Sequence, residues 1–174
     1  MTHIPELDFI VRQEGEYAVR DLIREIEGGG DFSKVEGITY RQNGEILKNP
    51  DRMYIKDLNK IPDPPRHLLD MERYTAKLDF EHETPCTSIL TSRGCPVDCN
   101  FCANAYFWKR TFRRRDPIRV VDEMEEIINK YNIRVFNILD DTFNMKRDHA
   151  FTICNEIINR KLNLKWFCRS SKFS

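Results

Sequence analysis

Three of the six cysteines in this 174-residue chain fall within eight residues, at Cys95, Cys99 and Cys102. Thiolates this close in sequence can hold a metal centre from a single loop. A structural zinc site normally takes four ligands, and neither a histidine nor a fourth cysteine lies close by in the sequence. Cysteine thiolates are also the usual ligands of iron–sulfur clusters. Three thiolates leave one iron of a four-iron cluster open to an outside ligand, and that is the chemistry this spacing predicts.

The segment around these cysteines resembles the signature of the radical S-adenosylmethionine (SAM) enzymes. It reads Cys95-x3-Cys99-x-Phe101-Cys102, with Arg93-Gly94 directly before it. The resemblance implies that the three cysteines ligate a [4Fe-4S] cluster, that SAM chelates the open iron, and that Phe101 lies against SAM. It also implies that an external electron donor reduces the cluster, which then cleaves SAM to a 5′-deoxyadenosyl radical. A zinc site completed from a distance and three unliganded thiols remain the alternatives.

The elements around this segment alternate between strand and helix. Mostly apolar runs predict strands at 87–92, 133–139 and 164–169, and an aspartate followed by proline opens a helix at Asp116-Pro117. A second helix is predicted over 148–161. Alternation of this kind predicts an α/β fold with a parallel sheet. The resemblance identifies it as the first half of a radical SAM partial (β/α)6 barrel with parallel strands.

Both predicted helices carry apolar residues at helical spacing. In the first helix, Glu123 and the other acidic residues are expected to face water. Its inward stripe is expected at Val120, Val121, Met124, Ile127, Ile128 and Tyr131. In the second helix, the inward residues are predicted to be Phe151, Cys154, Ile157, Ile158 and Leu162.

Two adjacent carboxylates, Asp140 and Asp141, directly follow the predicted strand at 133–139. In a parallel barrel the C-terminal ends of the strands share one rim, and Cys95 falls on that rim as well. The resemblance implies that this segment contacts the amino group of SAM, because a carboxylate accepts a charge-assisted hydrogen bond from an ammonium group. Helix capping or a solvated loop pair is the structural alternative. No residue is predicted to be catalytic in itself.

Residues 1–56 are predicted to form a small α/β unit with a strand at 7–11, a helix that ends at Gly28–Gly30, and a hairpin around Asn43-Gly44. The unit resembles the C-terminal remnant of a Rossmann-like domain of the cobalamin-binding type, in which Gly-Glu-Gly-Glu stands in place of Gln13–Glu16. This resemblance implies cobalamin as a cofactor of the full-length protein, although no Asp-x-His-x-x-Gly run supplies a histidine to cobalt. Apolar residues at helical spacing in the helix are Val19, Leu22, Ile23 and Ile26.

Residues 57–80 are predicted to be a proline-rich linker, because the three prolines of Ile61–Pro65 exclude a regular helix. Residues 81–174 are predicted to be the N-terminal half of a radical SAM domain. The chain ends after the third predicted strand, so we expect a longer chain or a partner to supply the missing half of the barrel. By itself, the chain is expected to bind SAM weakly and to turn over little.

Charge and hydropathy argue against several classes of partner. Lys+Arg and Asp+Glu balance at 28 each, so no global field favours nucleic acid. The basic and aromatic run Trp108–Arg115 is interpreted as a loop or solvated face and not as an RNA-binding patch. No apolar run approaches the ~20 residues of a membrane span. The cysteine usage fits a reducing compartment, so the protein is predicted to be cytoplasmic.

Together these features predict a radical SAM enzyme of methyltransferase type that acts on a small molecule. Cobalamin-dependent methylation or cyclisation is the reaction that the resemblance implies. The second interpretation is a methylthiotransferase-like enzyme that modifies tRNA or protein, although such enzymes usually carry another cysteine set upstream and none precedes Cys86. The third is a non-catalytic iron–sulfur or zinc module.

Overall fold

A computed structural model of this chain describes residues 1–77 and 83–170. Contacts between residues divide the chain into two units, Met1–Lys56 and Asp57–Ser174. The predicted boundary between residues 80 and 81 lies outside the described residues. None of the helices in the described ranges combines the length and the apolar character that crossing a membrane requires.

The first unit contains, in chain order, β1 (Phe9–Val11), α1 (Gly15–Gly28), β2 (Ile38–Gln42) and β3 (Glu45–Lys48). The strands form an antiparallel sheet in the order β1-β2-β3. Positive φ values at Asn43 (51°) and Gly44 (84°) form the two-residue turn between β2 and β3, as an Asn-Gly pair favours. The predicted strand, helix and hairpin are confirmed.

Helix α1 buries only part of its predicted apolar stripe. Ala18 and Leu22 are buried, and Leu22 shares a small core with residues of β2. Val19, Ile23 and Ile26 are 41–56% exposed. Residues four apart lie on one face of a helix, and the small sheet covers the face that carries Ala18 and Leu22.

The turn before α1 has an unusual backbone angle. Gln13 adopts a φ of 61°, in the left-handed region that glycine enters most easily. The next residue, Glu14, has a buried carboxylate that accepts a hydrogen bond from the Ile55 amide at 2.7 Å. This bond ties the start of α1 to the last residues of the unit.

The second unit contains, over its described residues, β4 (Thr75–Lys77), β5 (Glu83–Ile89), β6 (Ser92–Arg93), α2 (Asn104–Phe107), β7 (Arg113–Arg114), α3 (Pro117–Tyr131), β8 (Val135–Ile138), α4 (Arg147–Asn159) and β9 (Lys165–Cys168). The main sheet has the order β4-β5-β8-β9. Strands β5, β8 and β9 run parallel, with Cys86 opposite Val135 and Ile138 opposite Cys168. Strand β4 is antiparallel to β5. The predicted α/β alternation with parallel strands is confirmed.

Helix α3 packs the apolar stripe that its sequence predicts. Asp116 caps the helix by accepting a hydrogen bond from the Ile118 amide at 2.8 Å, and Pro117 occupies the first turn. The stripe residues that belong to the larger core are at most 6% exposed, and they are Val120, Val121, Met124, Ile127 and Ile128. Burying one such apolar side chain stabilises a fold by about 1.5–3 kcal/mol.

Glu123 on the same helix was expected to face water, and that expectation is wrong. It is 3% exposed and pairs with Arg66 and Arg115, each at 2.6 Å. Arg66 also donates to the Ser88 carbonyl at 3.0 Å, and Arg115 to the Leu90 carbonyl at 2.9 Å. A carboxylate is tolerated in the interior when it is paired in this way. The two arginines thereby tie the segments before β4 and before α3 to the end of β5.

Helix α4 presents a different face to the core than its sequence predicts. Phe151 and Ile158 were predicted to point inward and are 54% and 69% exposed. Apolar residues occupy two neighbouring faces of this helix, so helical spacing alone does not choose between them. Packing against the core selects the face that carries the small Ala150. The buried residues of α4 are His149, Ala150, Ile153 and Ile157.

The predicted linker segment packs with the second unit over its described residues. It carries 3-10 turns at Leu58–Lys60, Arg66–Leu68 and Met71–Arg73. Leu58 and Met71 are buried, and Met71 belongs to the larger core. The proline-containing stretch between the first two turns has no regular helix, as its composition predicts.

Candidate functional site

The three clustered cysteines lie on one loop beyond the C-terminal end of β5. Residues 94–104, called the cysteine loop below, follow β6, and β6 pairs antiparallel with β7 on the other side of the loop. The loop begins at Gly94, which has a φ of 88°. A Cβ atom at Gly94 would lie 2.1 Å from the Thr111 carbonyl oxygen. Only glycine suits both this backbone angle and this close approach.

All three cysteines of the loop are free thiols of intermediate burial. The Cys102 amide donates to the Cys99 carbonyl at 3.0 Å, and the Thr142 hydroxyl lies 3.7 Å from the Cys95 sulfur. Within residues 1–77 and 83–170, no three His, Cys, Asp or Glu side chains stand close enough together to hold a single metal ion. Cysteine thiolates are the donors that iron–sulfur clusters use, so the residues fit a cluster in type and in sequence spacing.

The cysteine loop also exposes aromatic surface. Phe101, which is predicted to lie against SAM, is 88% exposed, and Tyr106 on α2 is exposed to the same extent. Phe107 packs edge-on against Trp108, with 4.7 Å between the ring centroids. The exposed ring of Phe101 is accessible to a ligand in the structure. The contact between Phe101 and SAM stays a prediction.

Asp140 lies next to the start of the loop and is fully buried. One carboxylate oxygen accepts from the backbone amides of Thr91 (2.7 Å) and Ser92 (3.1 Å). The other accepts from the hydroxyls of the same two residues, at 2.5 and 2.6 Å. Four donors satisfy the carboxylate and hold the chain between β5 and β6. The side chain has no exposed surface at which an outside ligand could bind.

His149 completes a buried polar cluster that consists of Thr91, Ser92, Asp140 and His149. Its Nε2 atom lies 3.1 Å from the Thr91 hydroxyl. Because that hydroxyl donates to Asp140, its oxygen accepts from His149, which places the imidazole proton on Nε2. Among the described residues, the Nδ1 atom has no hydrogen-bond partner. Burial lowers the pKa of His149, and the Asp140 carboxylate opposes that shift without reversing it.

Asp141 contacts the cysteine loop itself. One carboxylate oxygen accepts from the Gly94 amide at 3.1 Å, and the other accepts from the side-chain amide of Asn104 at 2.8 Å. Gly94 directly precedes Cys95, and Asn104 comes two residues after Cys102. Asp141 is only partly buried. The aspartate pair and the cysteines therefore meet at the same end of the sheet, as predicted.

Sequence patterns do not identify several residues that join these parts. The one available signal is the polar pair Thr91-Ser92 at the end of an apolar strand. Buried hydroxyls need hydrogen-bond partners, so such a pair indicates a polar group nearby in the interior. Asn104 and His149 give no signal, since their partners are 37 and 58 residues away in the chain. Such contacts become visible only when the fold brings the segments together.

The basic run after the loop is extensively paired with acids. The hydrogen bond from Arg114 lowers the pKa of the Asp148 carboxyl group. The Arg113 guanidinium lies 5.3 Å from the centre of the Trp108 ring. These contacts reduce the charge that the run would otherwise offer to phosphate groups. The ion pairs are Arg110 with Asp98, Arg114 with Asp148, and Arg115 with Glu123 and Asp63.

The remaining three cysteines lie on β5, α4 and β9. Burial raises the pKa of the Cys86, Cys154 and Cys168 thiols. A raised pKa keeps a thiol protonated and poorly reactive. This environment suits cysteines that serve as small hydrophobic residues, which is the role predicted for Cys154 and Cys168.

Comparison with known proteins shows which family the segment around the site is similar to. The profile of the Radical SAM superfamily matches residues 89–171, which include the whole cysteine loop and both aspartates. The uncharacterized methyltransferase PH0819 of Pyrococcus horikoshii is 31% identical over 170 residues, covering 98% of this chain and 36% of that protein. An anaerobic magnesium-protoporphyrin IX monomethyl ester cyclase of Rubrivivax gelatinosus is 32% identical over 166 residues, covering 93% and 29%. The chain spans about a third of the length of these relatives.

A solved structure shares the fold. TsrM of Kitasatospora setae, a radical S-adenosylmethionine methyltransferase with cobalamin and a [4Fe-4S] cluster bound, matches with a TM-score of 0.68 at 22% identity. The match covers 97% of this chain and 35% of TsrM. The similarity to the Radical SAM superfamily extends over residues 89–171. One further relative, TokK of Streptomyces tokunonensis, is named a cobalamin-dependent radical SAM methyltransferase; it is 27% identical over 147 residues, covering 83% of this chain and 21% of that protein.

Proposed function

We propose that this chain is part of a radical SAM enzyme whose [4Fe-4S] cluster is held by Cys95, Cys99 and Cys102. When bound, a reduced cluster of this kind supplies the electron that cleaves SAM to methionine and a 5′-deoxyadenosyl radical. The observation that carries the proposal is the placement of three free thiols on one loop whose two ends bond to Asp141. The family match over the same residues supports it.

The proposed SAM site uses residues that the loop and the end of β8 expose. Phe101 offers an open aromatic face. Of the two aspartates predicted to contact the SAM ammonium group, Asp140 is fully buried and Asp141 is only partly buried, so the proposed contact falls to Asp141. A partly exposed carboxylate accepts a charge-assisted hydrogen bond from an ammonium group.

The second unit is proposed to be the first half of a partial (β/α)6 barrel, with β5, β8 and β9 as its first three strands. The parallel pairing of these strands and the helices between them support this arrangement. The domain limits 1–56, 57–80 and 81–174 are proposed on the family resemblance. Cobalamin is proposed as a second cofactor of the full-length protein, by analogy with the cobalamin-bound TsrM structure.

The proposed reaction is methylation or cyclisation of a small molecule, with the electron coming from an external donor. The analogy rests on the relatives, since TsrM has also been solved with tryptophan as substrate. The Rubrivivax relative is named for the cyclisation of a porphyrin ester. Each of these proteins acts on a small molecule, which is the substrate class that we propose here.

Reconstitution with iron and sulfide in the absence of oxygen tests the ligand set. The intact protein is expected to hold about four iron atoms per chain and to release 5′-deoxyadenosine from SAM when dithionite is the reductant. Alanine at Cys95, Cys99 or Cys102 is expected to remove both the iron and the product. Cys154→Ala is the matched control, because that thiol lies on α4. Zinc in place of iron, or a cluster that survives all three substitutions, would contradict the proposal.

The SAM contact is tested separately with Asp141→Asn. Removing the negative charge is expected to weaken SAM binding to the reconstituted protein about tenfold, the effect of one charge-assisted hydrogen bond. The change in the cluster's electron paramagnetic resonance spectrum on adding SAM measures the affinity. Asp98→Asn is the control, because Asp98 lies on the same loop in an exposed ion pair with Arg110. Equal affinity in the two variants would remove Asp141 from the proposed SAM site.

A further inference from the structure

The side chain of Asp141 forms a hydrogen bond with each end of the cysteine loop. Its two oxygens accept from the Gly94 amide and from the Asn104 side chain, which flank the three cysteines on either side. We propose that Asp141 is a positioning residue that keeps the loop in the shape in which its thiols receive an iron–sulfur cluster. This inference rests on the proposed function of the loop.

Hydrogen bonds hold the backbone segment on both sides of Asp141 in place. The Leu139 amide donates to the Ile89 carbonyl at 2.9 Å, and Asp140 is fixed by four hydrogen bonds in the buried polar cluster. The Thr142 hydroxyl donates to the Asp141 carbonyl at 2.8 Å. A group can position its neighbours only when its own place is fixed, and these contacts meet that condition.

Restraining both ends of the loop favours cluster binding for an entropic reason. A free loop loses conformational entropy when it closes around a ligand. Bonds that order the loop beforehand remove part of that loss, as hydrogen bonds behind metal ligands generally do. Gly94 adjoins Cys95, and Asn104 lies two residues from Cys102, so the restraint acts at the outer two of the three cysteines.

The positioning role depends on the two hydrogen bonds and not on the negative charge. In Asp141→Asn, the amide oxygen can accept from Gly94 while the amide nitrogen donates to Asn104, once the Asn104 amide turns to present its oxygen. The connection between the two ends is then preserved although the charge is gone. Asp141→Ala removes both bonds, so the two variants separate positioning from charge.

The test measures how fast the reconstituted intact protein loses its cluster to an iron chelator. Asp141→Ala is expected to lose the cluster about tenfold faster than wild type, the effect of losing one or two hydrogen bonds to a charged group. Asp141→Asn is expected to stay within about threefold of wild type. Asp98→Asn serves as the control for the loss of an acid from the same loop and is expected to match wild type.

Exchanging the two partners makes the test sharper. Asn104→Asp sets two carboxylates against each other and is expected to release the cluster as fast as Asp141→Ala. The double variant D141N/N104D restores a donor opposite an acceptor in reversed order. Its cluster lifetime is expected to return to within about threefold of wild type.

Several outcomes would overturn the inference. Asp141→Asn could prove as damaging as Asp141→Ala, or the double variant could prove no better than Asn104→Asp, and either result would show that the two hydrogen bonds do not set the cluster lifetime. A second readout is hydrogen exchange of the Gly94 amide in the cluster-free protein, which Asp141→Ala is expected to accelerate about tenfold. If wild type takes up no cluster, the proposed function fails, while this exchange rate still decides the positioning role.

Discussion

The buried polar cluster and the cysteine loop are close in sequence at Ser92 and Gly94, and they differ in their physical environment. All four residues of the cluster, Thr91, Ser92, Asp140 and His149, are at most 2% exposed. The loop begins two residues after Ser92 and carries half-buried thiols and the largely exposed Phe101. The carboxylate of the cluster has four donors, whereas the carboxylate that holds the loop has two donors in the structure.

This difference is the one expected between a region that contributes to stability and a region for which ligand binding is proposed. A fully hydrogen-bonded group of buried polar residues specifies one arrangement and is expensive to disturb. The half-buried thiols and the exposed ring of Phe101 leave surface that is available to a ligand. Asp140 and Asp141 serve different regions although they are adjacent, because the Asp140 carboxylate accepts from Thr91 and Ser92 in the interior, whereas the Asp141 carboxylate accepts from Gly94 and Asn104 of the loop.

The largest expected effect comes from removing the acceptor of the buried cluster. Asp140→Ala leaves two amides and two hydroxyls without that acceptor in the interior, so we expect the free energy of unfolding to fall by about 3–5 kcal/mol. Urea denaturation of the cluster-free protein measures the loss. Asp141→Ala is the matched comparison and is expected to lower the free energy of unfolding by less than about 1 kcal/mol. Similar losses in the two variants would erase the distinction between the regions.

A smaller effect is expected at the base of the cysteine loop. In Gly94→Ala the new Cβ meets the Thr111 carbonyl, so the loop has to move, and we expect the free energy of unfolding to fall by about 2 kcal/mol. Iron retention after reconstitution is expected to fall as well. Gly44→Ala is the control, because Gly44 has a similar φ of 84° but open space around its Cβ. Wild-type iron retention in Gly94→Ala would show that the loop tolerates rearrangement.

The smallest expected effect is the pH dependence of the buried cluster. Burial lowers the pKa of His149 below its usual value of 6.5, so below that pH the unfolded chain binds more protons than the folded one. Stability is therefore complete above about pH 6.5 and declines as the pH falls towards the folded-state pKa. Urea denaturation at about pH 5.5 and about pH 7.5 compares the two conditions.

A pair of histidine variants identifies the residue responsible. His149→Gln is expected to reduce the difference in stability between the two pH values, because it removes the titrating imidazole. His67→Gln is the control, since His67 is exposed on a turn of the second unit. A pH dependence that persists unchanged in His149→Gln would assign the titration to another group.

Local signals explain why part of the fold could be predicted. The Asp116-Pro117 start and the continuous stripe of α3 lie within one segment, and both are found as predicted. The buried face of α4 could not be predicted, because apolar residues occupy two of its faces and only the position of the sheet selects one. The sequence predicts that Glu123 faces solvent. The fold instead buries Glu123 in ion pairs with Arg66 and Arg115, which lie 57 and 8 residues away in the chain.

By itself, the sequence predicted the chemistry of the candidate site, because the type and the spacing of the three cysteines belong to one continuous segment. It also placed both aspartates at the end of a strand. Only the tertiary structure decided that Asp140 supports the buried cluster and that Asp141 holds the loop. The reason is that their partners lie 37 to 49 residues away, and a hydrogen bond forms only where the fold brings donor and acceptor within reach.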